Sequence, residues 1–313
     1  MTSSTGRSPA VSQTSHMATE VAGQPDDWLA VVERLPAVRD LLPEAGARVA
    51  VVGCGTSYYM AQAYAALRED GGHGETDAFA ASEARLDRAY DVVVAITRSG
   101  TTTEVLELLG AQKHHRARTV AVVATEGTPA VDAADSAVTL PEFDERSVVQ
   151  TRFATTAFAL LRASLGEDLS AAVADARVVL SEPEDRALAG LTEAEQVTFL
   201  GSGWSVGLAQ EAALKLRESN QFWAESYPAM EYRHGPISIA APGRVVWALG
   251  EVPDGLPEQV AATGARFEHR QADALAELVR VHRLCLAKAR VAGLDPDHPR
   301  SLTRSVVLAP PPA

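Results

Sequence analysis

Two segments of this chain, 148 residues apart, spell the same unit. VVGCGTSYYMAQAYAAL and FLGSGWSVGLAQEAALK each run an apolar strand into a Gly-x-Gly turn and then into a helix. Gly53, Gly55, Ser57, Ala61, Gln62 and Ala65 of the first fall on Gly201, Gly203, Ser205, Ala209, Gln210 and Ala213 of the second. A strand that feeds straight into a helix pairs with parallel neighbours, and helices must then cover the sheet. The repeat therefore predicts a duplicated α/β domain, and 313 residues are enough for two.

The rest of the chain fits that frame. Apolar β-branched runs predict strands over Arg48–Cys54, Thr76–Ala80, Asp91–Thr97, Thr119–Thr125 and Ser136–Leu140. Helices are expected over Trp28–Leu42, Thr56–Asp70 and Thr102–His115, alternating with the strands. Ser147–Glu195 is Ala/Leu-rich and reads as a long helical connection broken at Pro183. The second half continues with a strand over Val245–Leu249, a helix over Pro257–Thr263, a short strand over Arg266–His269 and a long helix over Ala272–Ala292. Expected domains are a disordered tail (1–16), a first subdomain (17–167), the connection (168–195), a shortened second subdomain (196–294) and a Pro-rich tail (295–313).

Composition excludes several functions. With 28 Lys+Arg against 41 Asp+Glu, the net charge of −13 argues against nucleic-acid or membrane-surface binding. An anionic ligand would have to be held by local donors. Two cysteines, Cys54 and Cys285, form no disulfide framework and no CxxC metal site, so neither cofactor nor metal is expected. No apolar run reaches the roughly 18 residues of a membrane span, and the first 16 residues lack a signal-peptide core. A cytoplasmic protein is the expectation.

Three stretches carry chemistry. Thr97-Arg98-Ser99-Gly100-Thr101-Thr102 sits between a strand and a helix. One hydroxyl suffices to cap a helix, whereas four hydroxyls and an Arg suit an anion such as phosphate. Gly53-Cys54-Gly55-Thr56-Ser57 lacks the third glycine of a dinucleotide fingerprint and the acidic residue at the end of the next strand. Thr56 and Ser57 are instead hydroxyl donors for a polyol at the edge of a parallel sheet. Glu211, Lys215 and Glu218 share one helical face, and His234 follows in a constrained His-Gly-Pro turn. A carboxylate and an imidazole at one ligand divide general acid and base work.

These residues together carry a resemblance. The chain resembles the sugar isomerase (SIS) domain proteins, and within them the isomerase half of the glucosamine-6-phosphate synthases. His16-Met17-x-x-Glu20-x-x-x-Gln24-Pro25 is similar to the opening of those domains, and Cys54-Gly55-Thr56-Ser57 to their CGTS. Thr97–Thr102 resembles their SQSGET phosphate loop. Glu211-x-x-x-Lys215-x-x-Glu218 with His234-Gly235-Pro236 resembles EGALKLKE and KHGP, and Asp297–Val306 resembles DQPRNLAKSV.

The resemblance implies two tandem, doubly wound, parallel-sheet subdomains of flavodoxin-like type, each with helices on both faces of its sheet. It implies that Thr97, Arg98, Ser99 and Thr102 hold a sugar phosphate, and that Thr56, Ser57, Gln150 and Glu211 lie near the sugar. Glu218 would move a proton between C1 and C2, with Lys215 beside developing charge. His234 would assist ring opening from the neighbouring subunit of a homodimer. Arg304 would count with the catalytic residues, since it stands where the synthase carries an imine-forming Lys, although an Arg is a poor imine former. Arg98 replaces the usual Gln and would add a fixed charge beside the phosphate. No glutaminase segment or N-terminal Cys nucleophile is expected ahead of residue 17. The implied activity is a phosphosugar isomerase or aminosugar-phosphate deaminase. A fructosamine-6-phosphate deglycase and a non-catalytic phosphosugar-binding protein are the alternatives.

Overall fold

The computed structural model describes residues 15–113 and 116–309. Of the expected N-terminal tail, residues 1–14 lie outside that range. His16 does not belong to a tail: it opens helix α1 (His16–Val38), with Ser15 as its N-cap accepting from the Ala18 amide at 3.1 Å. The helix expected from Trp28 thus starts twelve residues earlier. The cause is tertiary. The Asp297 carboxylate accepts the first two amides, His16 at 2.7 Å and Met17 at 2.8 Å, from 280 residues downstream. Met17, Val21 and Trp28 then bury one face of the helix.

The first sheet contains β1 (Val49–Gly53), β2 (Thr76–Ala80), β3 (Val92–Ile96), β4 (Arg118–Val123) and β5 (Ser136–Thr139). Their order is β2-β1-β3-β4-β5 and every pairing is parallel. Helices α2 (Thr56–Asp70), α3 (Thr103–Gln112) and α4 (Pro129–Ala133) link them. The central strands are buried on both faces. Val92, Val94, Ile96, Val120 and Val122 face one apolar layer, and Val93, Ala95, Ala121 and Val123 face the other. That alternation makes three layers, helix–sheet–helix.

The connection is not one broken helix but three: α5 (Arg152–Ser164), α6 (Ser170–Ser181) and α7 (Glu184–Ala187). Pro183 marks the last break as the sequence suggests. The earlier break follows α5 at Gly166, whose φ of +88° cannot continue a helix. Residues 147–151 are loop because the buried Glu145 carboxylate accepts the Thr151 and Arg152 amides, both at 2.8 Å, and sets the start of α5 there.

The second sheet contains β6 (Gln196–Gly201), β7 (Ala224–Pro228), β8 (Arg244–Leu249) and β9 (Arg266–Glu268), joined by α8 (Ser205–Asn220) and α9 (Leu256–Ala262). Its order, β7-β6-β8-β9, repeats that of the first sheet less its last strand. β7 lies where only a loop was expected. Its AESYP sequence has a charge and a terminal Pro, which suit an edge strand that pairs on one side with β6. Helix α10 (Ala274–Ala292) packs on α8 and α6 and closes the core.

The repeated helices α2 and α8 pack against each other at the junction of the halves. Gly207 makes the approach: a Cβ there would sit 2.4 Å from the Tyr59 carbonyl oxygen. This crossing brings the two helices that follow the Gly-x-Gly turns of the duplicated units to one place. No helix among the described residues is long and apolar enough to cross a membrane.

Candidate active site

In the first sheet the chain leaves β1 in one direction and β3 in the other, which opens a crevice at their C-terminal ends. A cavity of about 190 Å³ occupies it. Its walls come from the turn after β1, the loop after β3, the loop before α5, helix α8 and the C-terminal segment 302–306.

The loop after β3 is rigid for local reasons. Thr97 donates to Val122 O, and Arg98 O accepts from Ala124, both at 3.0 Å, so the loop stays tied to β4. Gly100 takes φ +64°, and a Cβ there would lie 2.1 Å from Thr128 Oγ1. Thr102 is the N-cap of α3, yet its hydroxyl makes no capping bond. It lies 3.4 Å from Ser305 Oγ instead. Thr101 Oγ1 lies 3.1 Å from Ser99 Oγ and 3.0 Å from Ser305 Oγ. Hydroxyls therefore cluster at a helix N-terminus, where the macrodipole favours an anion.

The opposite wall is Glu218, on α8. The Lys215 ammonium is fully buried and pairs with Glu211 at 3.4 Å and, more closely, with Glu218. It also donates to Thr56 Oγ1 on α2 at 2.9 Å. Burial works against the Lys215 charge, but Glu211 and Glu218 outweigh it and hold its pKa above the ordinary value. Burial dominates at Glu211, where it pushes the pKa up to about 7 against the pull of Lys215. Behind this pair, burial and Lys215 drive His282 down to about 3, so the imidazole adds no charge.

The structure brings most of the expected residues to one cavity. Thr56, Ser57, Thr97, Arg98, Ser99, Thr102, Gln150, Glu218 and Arg304 all line it. Gln150 Nε2 is buried with no protein partner, an unspent donor at the wall. Glu211 and Lys215 sit beneath the wall, so Glu211 is placed to support Lys215 and not to touch a ligand. His234 ends a 3₁₀ turn (Glu231–His234), is exposed, and does not line its own chain's cavity.

Two arginines behave differently from expectation. The Arg98 terminal nitrogens are committed to protein acceptors: Ser147 O at 3.0 Å, Val148 O at 3.2 Å and Arg304 O at 3.1 Å. The side chain is 4% exposed and pairs with buried Glu145 at 3.4 Å. Its charge is therefore answered inside the protein by Glu145, while the side chain still lines the cavity and its buried Nε has no hydrogen-bond partner. Arg304 spends its guanidinium on the Asp144 carboxylate and the Glu145 carbonyl. It serves as a tether, in keeping with its inability to form an imine.

Sequence reasoning passed over Ser305 and Cys54. Ser305 lay within the tail stretch whose resemblance was recognised, but a lone Ser in a Pro-rich tail carries no signal of its own. Cys54 lines the cavity, but burial, with Glu104 second, raises its thiol to about 11. It stays protonated and is no nucleophile.

Comparison with known proteins agrees with this architecture. Residues 41–165 match the SIS domain model. A glutamine–fructose-6-phosphate aminotransferase (isomerizing) of Sulfolobus acidocaldarius is 28% identical over 83% of this chain and 50% of its own length. The Thermotoga maritima protein of the same name is 26% identical over 88% of this chain and 54% of its own. The chain thus spans about half the length of the curated relatives it matches. Among solved structures, a glucosamine-6-phosphate deaminase from Thermotoga maritima superposes with a TM-score of 0.77 at 23% identity, covering 94% of this chain and all of that one. The C-terminal domain of a glucosamine-fructose-6-phosphate aminotransferase from Francisella tularensis gives 0.76 at 20% identity, covering 93% and 100%. Residues 41–165 are therefore similar to an SIS domain, and the chain shares its two-subdomain fold with these solved structures.

Proposed function

We propose that this chain is a phosphosugar isomerase or deaminase acting on a hexose or aminohexose 6-phosphate. One observation carries the reading. A single cavity has a hydroxyl-rich helix N-terminus at one wall and a carboxylate backed by a buried ammonium at the other. The phosphate would bind Ser99, Thr102 and Ser305, with the α3 amides behind them. Its binding energy would orient the reacting carbons without acting on them. Glu218 would then carry a proton between C1 and C2, with Lys215 paired to its carboxylate from beneath the wall. With a 2-amino sugar the same shift yields an imine at C2. Addition of one water and loss of ammonia give the ketose phosphate.

His234 is exposed on this chain and does not line its own cavity, which supports a homodimer in which the partner subunit's His234 opens the ring. The direct test is incubation with glucosamine 6-phosphate, with ammonia and fructose 6-phosphate followed together. Turnover that survives Glu218→Gln, or absence of turnover on any hexose phosphate, defeats the reading. Tight phosphosugar binding without turnover would leave the non-catalytic alternative.

A second cavity favours the deglycase as the second reading. About 470 Å³ in volume, it shares Glu218 and Leu302 with the first. Leu214 and Phe222 supply apolar wall, while Arg217 and Arg300 supply positive charge. An amine substituent leaving the reacting end of the sugar would have room there. Activity on fructoselysine 6-phosphate, with none on glucosamine 6-phosphate, would select this reading.

A further inference from the structure

The segment after α10 does not hang free. Asp297 caps α1 through its side chain, and its carbonyl accepts the Val148 amide at 3.1 Å. Thr103 donates its amide to Val306 O at 3.2 Å, and Leu308 donates its amide to Thr103 Oγ1 at 2.9 Å. Residues 302–306 so become a wall of the cavity, and Ser305 joins the hydroxyl cluster of the loop after β3. Arg98 lies at the centre of these ties. Its backbone belongs to the loop after β3. Its side chain reaches the 147–148 loop and the Arg304 carbonyl at once, with the Glu145 carboxylate beneath. A guanidinium is the one side chain with enough fixed donors to hold three carbonyls and a carboxylate together.

We infer that Arg98 is a positioning residue that latches the C-terminal segment onto the anion loop, so that the phosphate pocket forms only when the three segments are joined. This rests on the phosphosugar reading for the ligand, but the latch itself does not. It assigns Arg98 an effect on phosphate affinity without contact to the phosphate. It also makes the order of the segment depend on a residue about two hundred positions earlier.

The experiment compares the full chain with Arg98→Gln, which keeps a short donor and loses the fork. Two readouts are taken: calorimetric binding of inorganic phosphate and of glucosamine 6-phosphate, and trypsin cleavage after Arg304 followed by mass spectrometry. In the wild type the cleavage should be slow, and slower with ligand. In Arg98→Gln it should accelerate at least about tenfold. Affinity for both ligands should fall about tenfold to a hundredfold, the scale of a charged hydrogen bond. Any turnover should show the change in KM more than in kcat. If Arg98→Gln leaves a buried charge that unfolds the chain, Arg98→Gln/Glu145→Gln removes the charge and must show the same exposed tail. Lost affinity with an unchanged cleavage rate would mean that Arg98 binds the anion directly, and would overturn the latch. So would unchanged affinity together with unchanged cleavage. If the wild type binds neither ligand, the phosphosugar reading fails, while the cleavage comparison still decides the latch.

Discussion

The two halves share a sheet order and a strand–turn–helix unit, yet they carry opposite parts of the site. In the first half the crevice after β1 and β3 is open and ringed by hydroxyls. In the second, Ser205 closes the equivalent place. Its hydroxyl donates locally to Ser202 O at 2.9 Å and lies 2.7 Å from Leu249 O. The loop after β8, GEVPDG, offers Glu251 and Asp254 where the first half offers threonines, and carboxylates repel a phosphate. The helices show the reverse asymmetry. Counting back by the repeat, Glu211 and Lys215 correspond to Ala63 and Leu67. Helix α2 keeps packing residues where α8 keeps the buried Glu211–Lys215 pair, while Glu218 falls on another carboxylate, Asp70. Duplication therefore supplied a scaffold twice, and on the proposed reading divergence put anion binding on one copy and proton transfer on the other.

The division can be broken most severely at α8. Glu218→Gln keeps the shape and removes the base, so kcat on a turned-over phosphosugar should fall about 10²–10⁴-fold, while thermal unfolding barely shifts. A comparable thermal loss would mean that Glu218 is structural. Lys215→Met should act on stability as well. It leaves Glu211 buried without its cation, at a cost of about 3–5 kcal/mol in denaturant unfolding. Lys215→Met/Glu211→Gln should recover much of that stability and none of the activity.

The anion side should yield smaller effects, confined to binding. Thr102→Val or Ser305→Ala removes one hydroxyl and should raise KM about five- to fiftyfold, roughly 1–2 kcal/mol, with kcat nearly unchanged. An equal fall in kcat would place those hydroxyls in the chemistry. Acidity offers a gentler probe of the α8 cluster. The pKa of Glu211 is raised from 4.5 to about 7 in the fold, so the folded chain holds a proton that the unfolded chain releases. That contribution to stability is present below about pH 4.5 and is lost as pH rises through about 7. Unfolding free energy measured from pH 5 to 8 should therefore decline by a term that Glu211→Gln abolishes. At the bottom of the scale, Glu251→Gln should change stability and KM by less than about 0.5 kcal/mol. A clear gain in phosphate affinity there would show that the second crevice can also take an anion.

Much of this was legible from residue order alone. The first-half strands and α2 fall within two residues of the runs that predict them, because a strand buried on both faces leaves an unbroken apolar run. The hydroxyl cluster of the loop after β3 was legible because four hydroxyls exceed what a cap needs. The start of α1 and edge strand β7 were not. One depends on an aspartate 280 residues away, the other on a neighbour that supplies its hydrogen bonds. The partners of the arginines were hidden for a related reason. Arg98 and Arg304 sit in motifs that suggest a ligand, but nothing near them in sequence shows Glu145 or Asp144 waiting to take their charge.

The sequence by itself determined the duplication, the parallel α/β class, the hydroxyl-rich loop after β3 and the Glu–Lys–Glu face of α8. Each is a local pattern of period, hydroxyl density or helical spacing, and such patterns survive without knowledge of neighbours. Only the tertiary structure decided which copy of the repeat holds the cavity and that α2 and α8 meet at Gly207. It also decided that Lys215 reaches Thr56 across that junction, and that Arg98 pairs with Glu145 at the cavity wall. The reason is that a buried charge takes its role from whatever partner the fold brings within about 4 Å, and that partner can lie anywhere along the chain.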